Sequence, residues 1–166
     1  VLEIQQKAGN SLEFLEHVKI DLFPDEVFIL TPNGDVFKLP QGACSVDLAF
    51  AIHTDVGKRC VGCRINKRIA PLRTKLQNGD QIEIIISKGQ YPQRAWLNFC
   101  TTGKARTQIR KFLRDHEMDE FEKLGKEILK KILLDVNKRA TKKTLSFFVK
   151  FFNYSSYKSF YIALGR

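Results

Sequence analysis

Turn-forming residues divide residues 25–87 into short apolar runs. The spacing of these turns constrains the fold more than any other feature of the chain. Residues 27–31 form a β-branched, apolar run that stops at Pro32-Asn33-Gly34-Asp35 and resumes over residues 36–39. A tight turn needs a positive φ, which glycine adopts without a Cβ clash. Asn-Gly between two such runs therefore predicts a β-hairpin.

The rest of this stretch predicts one helix and three strands. Ser45–His53 is predicted to be a brief helix, because a hydroxyl and an acid begin it and its apolar residues have helical spacing. Strands are predicted at Cys60–Ile65, around Ile69 and at Asp80–Ser87. This element order is that of a ubiquitin-like β-grasp, in which one helix covers a mixed sheet of four to five strands.

Residues 89–166 predict a small all-α domain, so the fold class is α+β. Gly89 and Pro92 mark its start, and Thr101-Thr102-Gly103 predicts a break or a new N-cap within its first apolar segment, residues 96–113. Three further ranges have the apolar periodicity or composition of helices: Met118–Val136, Thr144–Phe152 and Tyr157–Leu164.

These patterns divide the chain into three parts. Residues 1–20 hold an amphipathic segment predicted to be the last helix of an upstream domain, residues 21–88 form the β-grasp and residues 89–166 form the helical domain. The start at Val1 rather than Met predicts a piece excised from a longer protein.

The sequence also predicts a cytoplasmic protein without membrane contact. No apolar run approaches the length that spans a bilayer, and no charged-then-apolar leading segment is present. The four cysteines fit a reducing compartment.

Positive charge is concentrated in the middle and C-terminal parts. Residues 1–57 carry 3 basic and 9 acidic side chains, residues 58–87 carry 7 and 2, and residues 88–166 carry 18 and 7. Such a balance favours polyanionic partners, either RNA or an acidic protein. The alternative is that the lysines only solvate helix faces.

Eight residues are predicted to bind such a partner. His53 follows the short helix, where its ring projects from the helix end; its alternative role is a C-terminal helix cap. The basic residues near it in sequence are predicted to converge on one edge of the sheet and to bind phosphates or carboxylates, with plain solvation as the alternative. They are Lys58, Arg59, Arg64, Lys67, Arg68, Arg73 and Lys75.

No catalytic, metal or cofactor site is predicted in this chain. It has no glycine-rich phosphate loop and no nucleophile with a base at a recognisable spacing, and nothing completes a hydrolase metal site around His53-Thr54-Asp55. Cys60 and Cys63 have the spacing of a metal pair, but residues three apart in a strand point to opposite faces. Cys44 and Cys100 stand alone in the sequence.

Five collinear motifs carry a family resemblance: Asp21–Val27, Phe28–Val36, Leu39–Ala43, His53–Gly57 and Asn78–Ile84. Together they resemble the TGS domain of RelA/SpoT homologues, the long bacterial enzymes of the stringent response. Trp96–Arg106 and Ile109-Arg110 resemble the start of the helical domain that follows TGS in that family; the absence of an insertion there is more similar to the bifunctional, SpoT-like branch. Leu2–Lys19 resembles the last helix of the synthetase domain.

The resemblance implies a non-catalytic, regulatory fragment of a (p)ppGpp synthetase/hydrolase, that is, a GTP pyrophosphokinase with 3′-diphosphatase activity. Its upstream hydrolase and synthetase domains would be intramolecular contacts. In ribosome-dependent members, the residue matching His53 contacts the 3′ CCA end of deacylated tRNA. In bifunctional members from some bacteria, acyl carrier protein is a partner.

Two other classes compete with this hypothesis. One is the TGS-bearing part of an aminoacyl-tRNA synthetase or of a GTPase. The sequence of residues 96–110 disfavours this class. The other is a stand-alone RNA-binding module, which predicts binding by residues 21–166 that is lost when Arg59, Arg64 and Arg68 become Glu.

Overall fold

The structure, a computed structural model, describes residues 25–166. The predicted helix in residues 1–20 and the segment Asp21–Pro24 lie outside the described residues. Two compact units are present, the first ending at Leu113 and the second comprising Arg114–Arg166. The predicted domain boundaries at residues 20 and 88 stay predictions.

The first two strands form the predicted hairpin. β1 (Glu26–Leu30) pairs antiparallel with β2 (Val36–Pro40). Gly34 has a φ of 89°, and its N–H donates to the Thr31 carbonyl oxygen at 3.0 Å. The local signal succeeded because glycine alone adopts this φ without strain.

Three further strands form a second antiparallel sheet. β3 (Cys60–Ile65) pairs antiparallel with β4 (Arg68–Ala70) and with β5 (Ile82–Ile86). Leu30 and Gln81 form a parallel bridge, which brings β1 beside β5. The strands thus form two antiparallel sheets, β1-β2 and β4-β3-β5, which this bridge joins. The predicted β-grasp and α+β class are confirmed.

Two helices follow the hairpin where one was predicted. α1 (Ser45–Ile52) ends one residue before the expected end, and α2 (Thr54–Arg59) follows at once. The sequence did not signal α2 because its only aliphatic side chain is Val56 and Gly57 lowers its helix propensity.

α1 is buried on two sides. Leu48 belongs to the apolar cluster that α1 forms with the sheet. Phe50 belongs to a second cluster with Trp96, from the 3-10 helix Arg94–Asn98, and with Ile109. The core of the first unit thus includes residues that follow the sheet.

A buried carboxylate joins α1 to the loop that precedes the next helix. Asp47 is 1% exposed, and its oxygens accept hydrogen bonds from the N–H groups of Thr101 at 3.1 Å and Thr102 at 2.8 Å and from the Thr102 hydroxyl at 2.8 Å. The Cys44 N–H, an otherwise unpaired donor at the start of α1, also donates to it at 2.8 Å. These donors and the positive end of the helix dipole stabilise the buried charge.

A long helix follows the loop. α3 (Gly103–Asp135) begins after Thr102, whose hydroxyl accepts the Ala105 N–H at 3.3 Å, so the predicted N-cap is confirmed. The prediction of a separate helix over Met118–Val136 is wrong. Residues 114–117 contain neither glycine nor proline, and the helix continues through them.

Two short helices end the chain. α4 (Lys142–Phe151) and α5 (Tyr157–Gly165) agree with the predicted ranges to within two residues. The hydroxyls of Thr141 and Ser156 cap them by accepting N–H groups at 3.2 Å and 3.1 Å. No helix within residues 25–166 has both the length and the apolarity needed to cross a bilayer.

Two glycines let α5 approach α3 closely. A Cβ added at Gly125 would overlap the Tyr161 carbonyl oxygen, and one added at Gly165 would overlap the Phe121 carbonyl oxygen. Both obstacles are backbone atoms, which cannot rotate away as a side chain does. The crossing therefore requires glycine at both positions.

Gly125→Ala is expected to loosen α5. Alanine gains about 1 kcal/mol in helix propensity, but overpacking costs about 1–3 kcal/mol and here has no rotamer escape. Hydrogen exchange measured by mass spectrometry should be faster in residues 157–165 and unchanged in β3 and β5. Lys130→Ala, at an exposed site on α3, is the control; unchanged protection of α5 in the glycine variant would contradict the crossing.

Asp47→Asn is expected to lower the free energy of unfolding by at least about 2 kcal/mol, because an amide nitrogen would face donors that have lost an acceptor. Urea denaturation followed by the fluorescence of Trp96, the single tryptophan of the chain, measures the change. Asp135→Asn, at an exposed position, should change it by less than about 0.5 kcal/mol. Equal denaturation midpoints for the two variants would show that the Asp47 charge is dispensable.

Candidate partner-binding surface

His53 belongs to two helices at their junction. Its backbone N–H donates to the Ala49 carbonyl oxygen at 3.2 Å, which ends α1. Its Nδ1 accepts the Asp55 N–H at 3.1 Å, which begins α2. The exposed ring is therefore held in one orientation with its proton on Nε2, a donor that remains for a ligand.

The last turn of α2 carries two cations in different environments. The Arg59 guanidinium lies 3.5 Å from the Asp55 carboxylate. The Lys58 ammonium lies over the Phe112 ring, 6.0 Å from its centroid. Phe112 in turn stacks on the exposed ring of Tyr91, with the centroids 6.2 Å apart. Positive charge and an exposed aromatic face thus occur together beside α2.

A further lysine lies at the end of α1. The Lys104 ammonium donates to the Ala51 carbonyl oxygen at 3.4 Å, two residues before His53. We define the α2 surface as His53, Lys58, Tyr91, Lys104 and Phe112. The last three were not predicted from the sequence, because Lys104 and Phe112 come from α3, which is distant in sequence from α2. The one available signal was an aromatic residue, Tyr91, in a predicted linker.

The remaining predicted residues do not converge with His53. Arg64 forms an ion pair at 3.0 Å with Glu83 on β5. Lys67 and Arg68 lie at the β3–β4 turn, and the six residues of β3 separate that turn from α2 by about 17 Å. The Lys75 ammonium donates to the Phe99 carbonyl oxygen at 2.9 Å, close to Cys44 and thus at the opposite end of α1 from His53. The predicted convergence on one edge is not present in this topology.

Three predicted cations have no side-chain partner within residues 25–166. The side chains of Lys67, Arg68 and Arg73 are exposed and form no hydrogen bond or ion pair with any residue in the described part of the chain. They form a second group of charges, which we call the unpaired cations.

The two cysteines of β3 both face the protein interior. The prediction that they point to opposite faces is wrong, because a β-bulge between Cys60 and Gly62 shifts the alternation by one residue. The thiols are nevertheless separated: Cys60 packs in the cluster of Phe50, whereas the Ser45 hydroxyl donates to the Cys63 sulfur at 3.0 Å. Burial raises the pKa of Cys60 to about 12 and also raises the pKa of Cys63, so both are neutral thiols.

The other two cysteines meet in space. The sulfur atoms of Cys44 and Cys100 and a carboxylate oxygen of Asp47 all lie within 4.8 Å of one another, and all three residues are buried. The expectation that these cysteines stand alone is wrong, because the loop after the 3-10 helix returns to the start of α1. The hydrogen bond with Cys44, followed by burial, raises the pKa of Cys100 far above its ordinary value.

Comparisons with known proteins match both units. The sequence matches the family model of the TGS domain over residues 27–86 and that of the RelA/SpoT AH domain over residues 112–166. The chain belongs to the RelA/SpoT homologues. The resemblance found in the sequence, including its SpoT-like character, is confirmed.

Curated relatives of this RelA/SpoT homologue are much longer proteins. A GTP pyrophosphokinase of Myxococcus xanthus is 46% identical over 142 residues, covering 83% of this chain and 19% of that protein. The bifunctional (p)ppGpp synthase/hydrolase SpoT of Escherichia coli K12 is 47% identical over 129 residues, covering 78% of this chain and 18% of that protein. The chain thus spans less than a fifth of these relatives.

Substitutions of His53 can distinguish its role as the cap of α2 from any other contribution of its imidazole ring. His53→Ala should lower the free energy of unfolding by about 1 kcal/mol, since α2 loses its cap. His53→Asn should recover most of this loss, because the amide oxygen accepts the same N–H. Urea denaturation measures both; an asparagine variant as unstable as the alanine variant would exclude the capping role.

Proposed function

We propose that this chain is a regulatory segment of a (p)ppGpp synthetase/hydrolase of the stringent response, which senses a starvation-linked partner. The observation that carries the proposal is the succession of TGS and AH matches in a chain 46–47% identical, over the aligned residues, to a GTP pyrophosphokinase and a bifunctional (p)ppGpp synthase/hydrolase. We assign the synthetase and hydrolase activities to other parts of a longer parent protein, because this chain spans less than a fifth of those enzymes. The four cysteines of this chain are free thiols, which fits a cytoplasmic location.

The partner that the α2 surface fits is the unpaired 3′ end of a deacylated tRNA, presented on the ribosome. A single-stranded end offers base faces for stacking and phosphates for charge pairing. His53 and Tyr91 supply exposed rings, and Lys58 and Lys104 supply positive charge beside them. The capped orientation of His53 limits the entropy lost on binding.

A second candidate partner is acyl carrier protein, an acidic protein. The observation that favours it is the group of unpaired cations, whose charges no internal carboxylate neutralises within the described residues. Lys67, Arg68 and Arg73 would pair with its acidic surface. The two candidates thus use separate surfaces, which makes them separable by mutation.

Partner binding would act on the upstream hydrolase and synthetase domains by a population shift. A partner changes the balance of two arrangements only if it binds one of them more tightly, and the coupling cannot exceed that difference in affinity. The AH match over residues 112–166 disfavours the alternative of an aminoacyl-tRNA synthetase or a GTPase. A stand-alone RNA-binding module remains as an outcome of the experiment.

Calorimetric titration of the chain with deacylated tRNA and with acyl carrier protein tests the proposal. If tRNA is the partner, His53→Asn should weaken its binding by about 1–3 kcal/mol, the range of base–aromatic stacking, while the fold is kept. If acyl carrier protein is the partner, Lys67→Ala and Arg68→Ala should weaken it, and added salt should weaken it further.

Matched controls keep the outcomes distinct. Lys38→Ala, on the distant β2 strand, should leave either affinity unchanged. A tRNA lacking its 3′ CCA end should bind as weakly as tRNA binds the His53→Asn variant. Equal binding of intact and truncated tRNA would favour the general RNA-binding module, and binding of neither partner would refute partner sensing by this chain.

A further inference from the structure

A cluster of metal-ligating side chains lies buried beside α1 and shares no residue with the α2 surface. Cys44 and Asp47 come from the first turn of α1 and Cys100 from the loop that precedes α3, and their ligand atoms lie within 4.8 Å of one another. Cys60 is fully buried in the same apolar cluster as Cys44 and Cys100. Two thiols and one carboxylate therefore converge, and the Cys60 thiol lies in the same cluster but outside this 4.8 Å group.

This donor set has the chemistry of a zinc site. Zinc takes four ligands in a tetrahedron, prefers thiolates and accepts an aspartate oxygen. A Zn–S bond of about 2.3 Å sets neighbouring sulfurs about 3.7 Å apart. The Cys44 sulfur already lies 3.1 Å from the Asp47 carboxylate. Side-chain shifts of about 1 Å or less would bring Cys100 to the same spacing.

The surroundings of Asp47 also suit a metal ligand. Ligating carboxylates are oriented by hydrogen bonds from a surrounding shell, and those from the N–H groups of Thr101 and Thr102 fix Asp47 in this way. Asp47 forms no ion pair with any described cation, although it is 1% exposed. A divalent ion would supply the missing positive charge. The loaded site would still be net negative, which the positive N-terminal end of α1 favours.

We infer that Cys44, Asp47 and Cys100, with Cys60 as fourth ligand, form a binding site for a zinc-type metal ion. Binding exchanges the thiol protons for the metal and transfers no electron. Because Cys44 and Cys100 lie in different segments, the ion would link α1 to the loop before α3. The competing explanation is that these cysteines fill the core as small apolar residues.

The test is a cobalt titration of the reduced, metal-free chain in the presence of a phosphine reductant. We expect one ion bound per chain, with sulfur-to-cobalt charge-transfer bands and the intense visible bands of tetrahedral coordination. Zinc should displace the cobalt, abolish these bands and raise the melting temperature. Zinc sites on exposed histidines would lack the sulfur bands.

Two variants and a matched control complete the test. Cys100→Val, which keeps volume without a ligand, and Cys44→Ser should each lower the affinity by more than about 100-fold, beyond the usual effect of an outer-shell change. Cys63→Ser is the control, because Cys63 is buried but bonded to Ser45 and outside the cluster. Circular dichroism confirms that each variant is folded.

The inference fails if the unsubstituted chain shows no sulfur-to-cobalt bands at one equivalent of metal. It fails equally if Cys63→Ser weakens binding as much as Cys100→Val does. The Cys60→Ser variant identifies the fourth ligand: weakened binding that keeps its sulfur bands supports its assignment, and unchanged affinity refutes it.

Discussion

The Asp47 carboxylate, withdrawn from water, is the constraint on which the first unit depends. A buried charge costs several kcal/mol unless donors replace its hydration. Here the donors come from two places, the N-terminus of α1 and the backbone of Thr101 and Thr102. Neither segment satisfies the carboxylate alone. The helix that covers the sheet and the loop that starts α3 must therefore be placed together.

This coupling extends to the α2 surface. Lys104 and Phe112 reach α2 because α3 begins directly after the two threonines that bind Asp47. His53 contributes the other half, since one residue ends α1 through its backbone and starts α2 through its ring. The imidazole is thereby held in place by a hydrogen bond while its ring stays exposed.

Features set by adjacent residues were predictable from the sequence. The Asn33-Gly34 turn, the strands beside it and the N-cap at Thr102 follow from local conformational preferences, and the order of elements then points to the β-grasp. Features set by distant residues were not. No periodic pattern in the sequence indicates three of these features: the approach of Cys44 to Cys100, the stacking of Tyr91 on Phe112 and the bulge in β3. For the same reason the eight predicted site residues were assigned to one edge, because sequence proximity hides the length of the strand between them.

The apolar cluster around Phe50 extends beyond the residues that match the TGS family model. The TGS match ends at residue 86, yet Trp96 and Ile109 fill the far side of the helix that the sheet only half covers. A polypeptide cut at the family limit would leave this hydrophobic flank open to water and would tend to aggregate. In this chain, the residues that follow the TGS match therefore complete the burial of α1 and belong to the same compact unit as the strands.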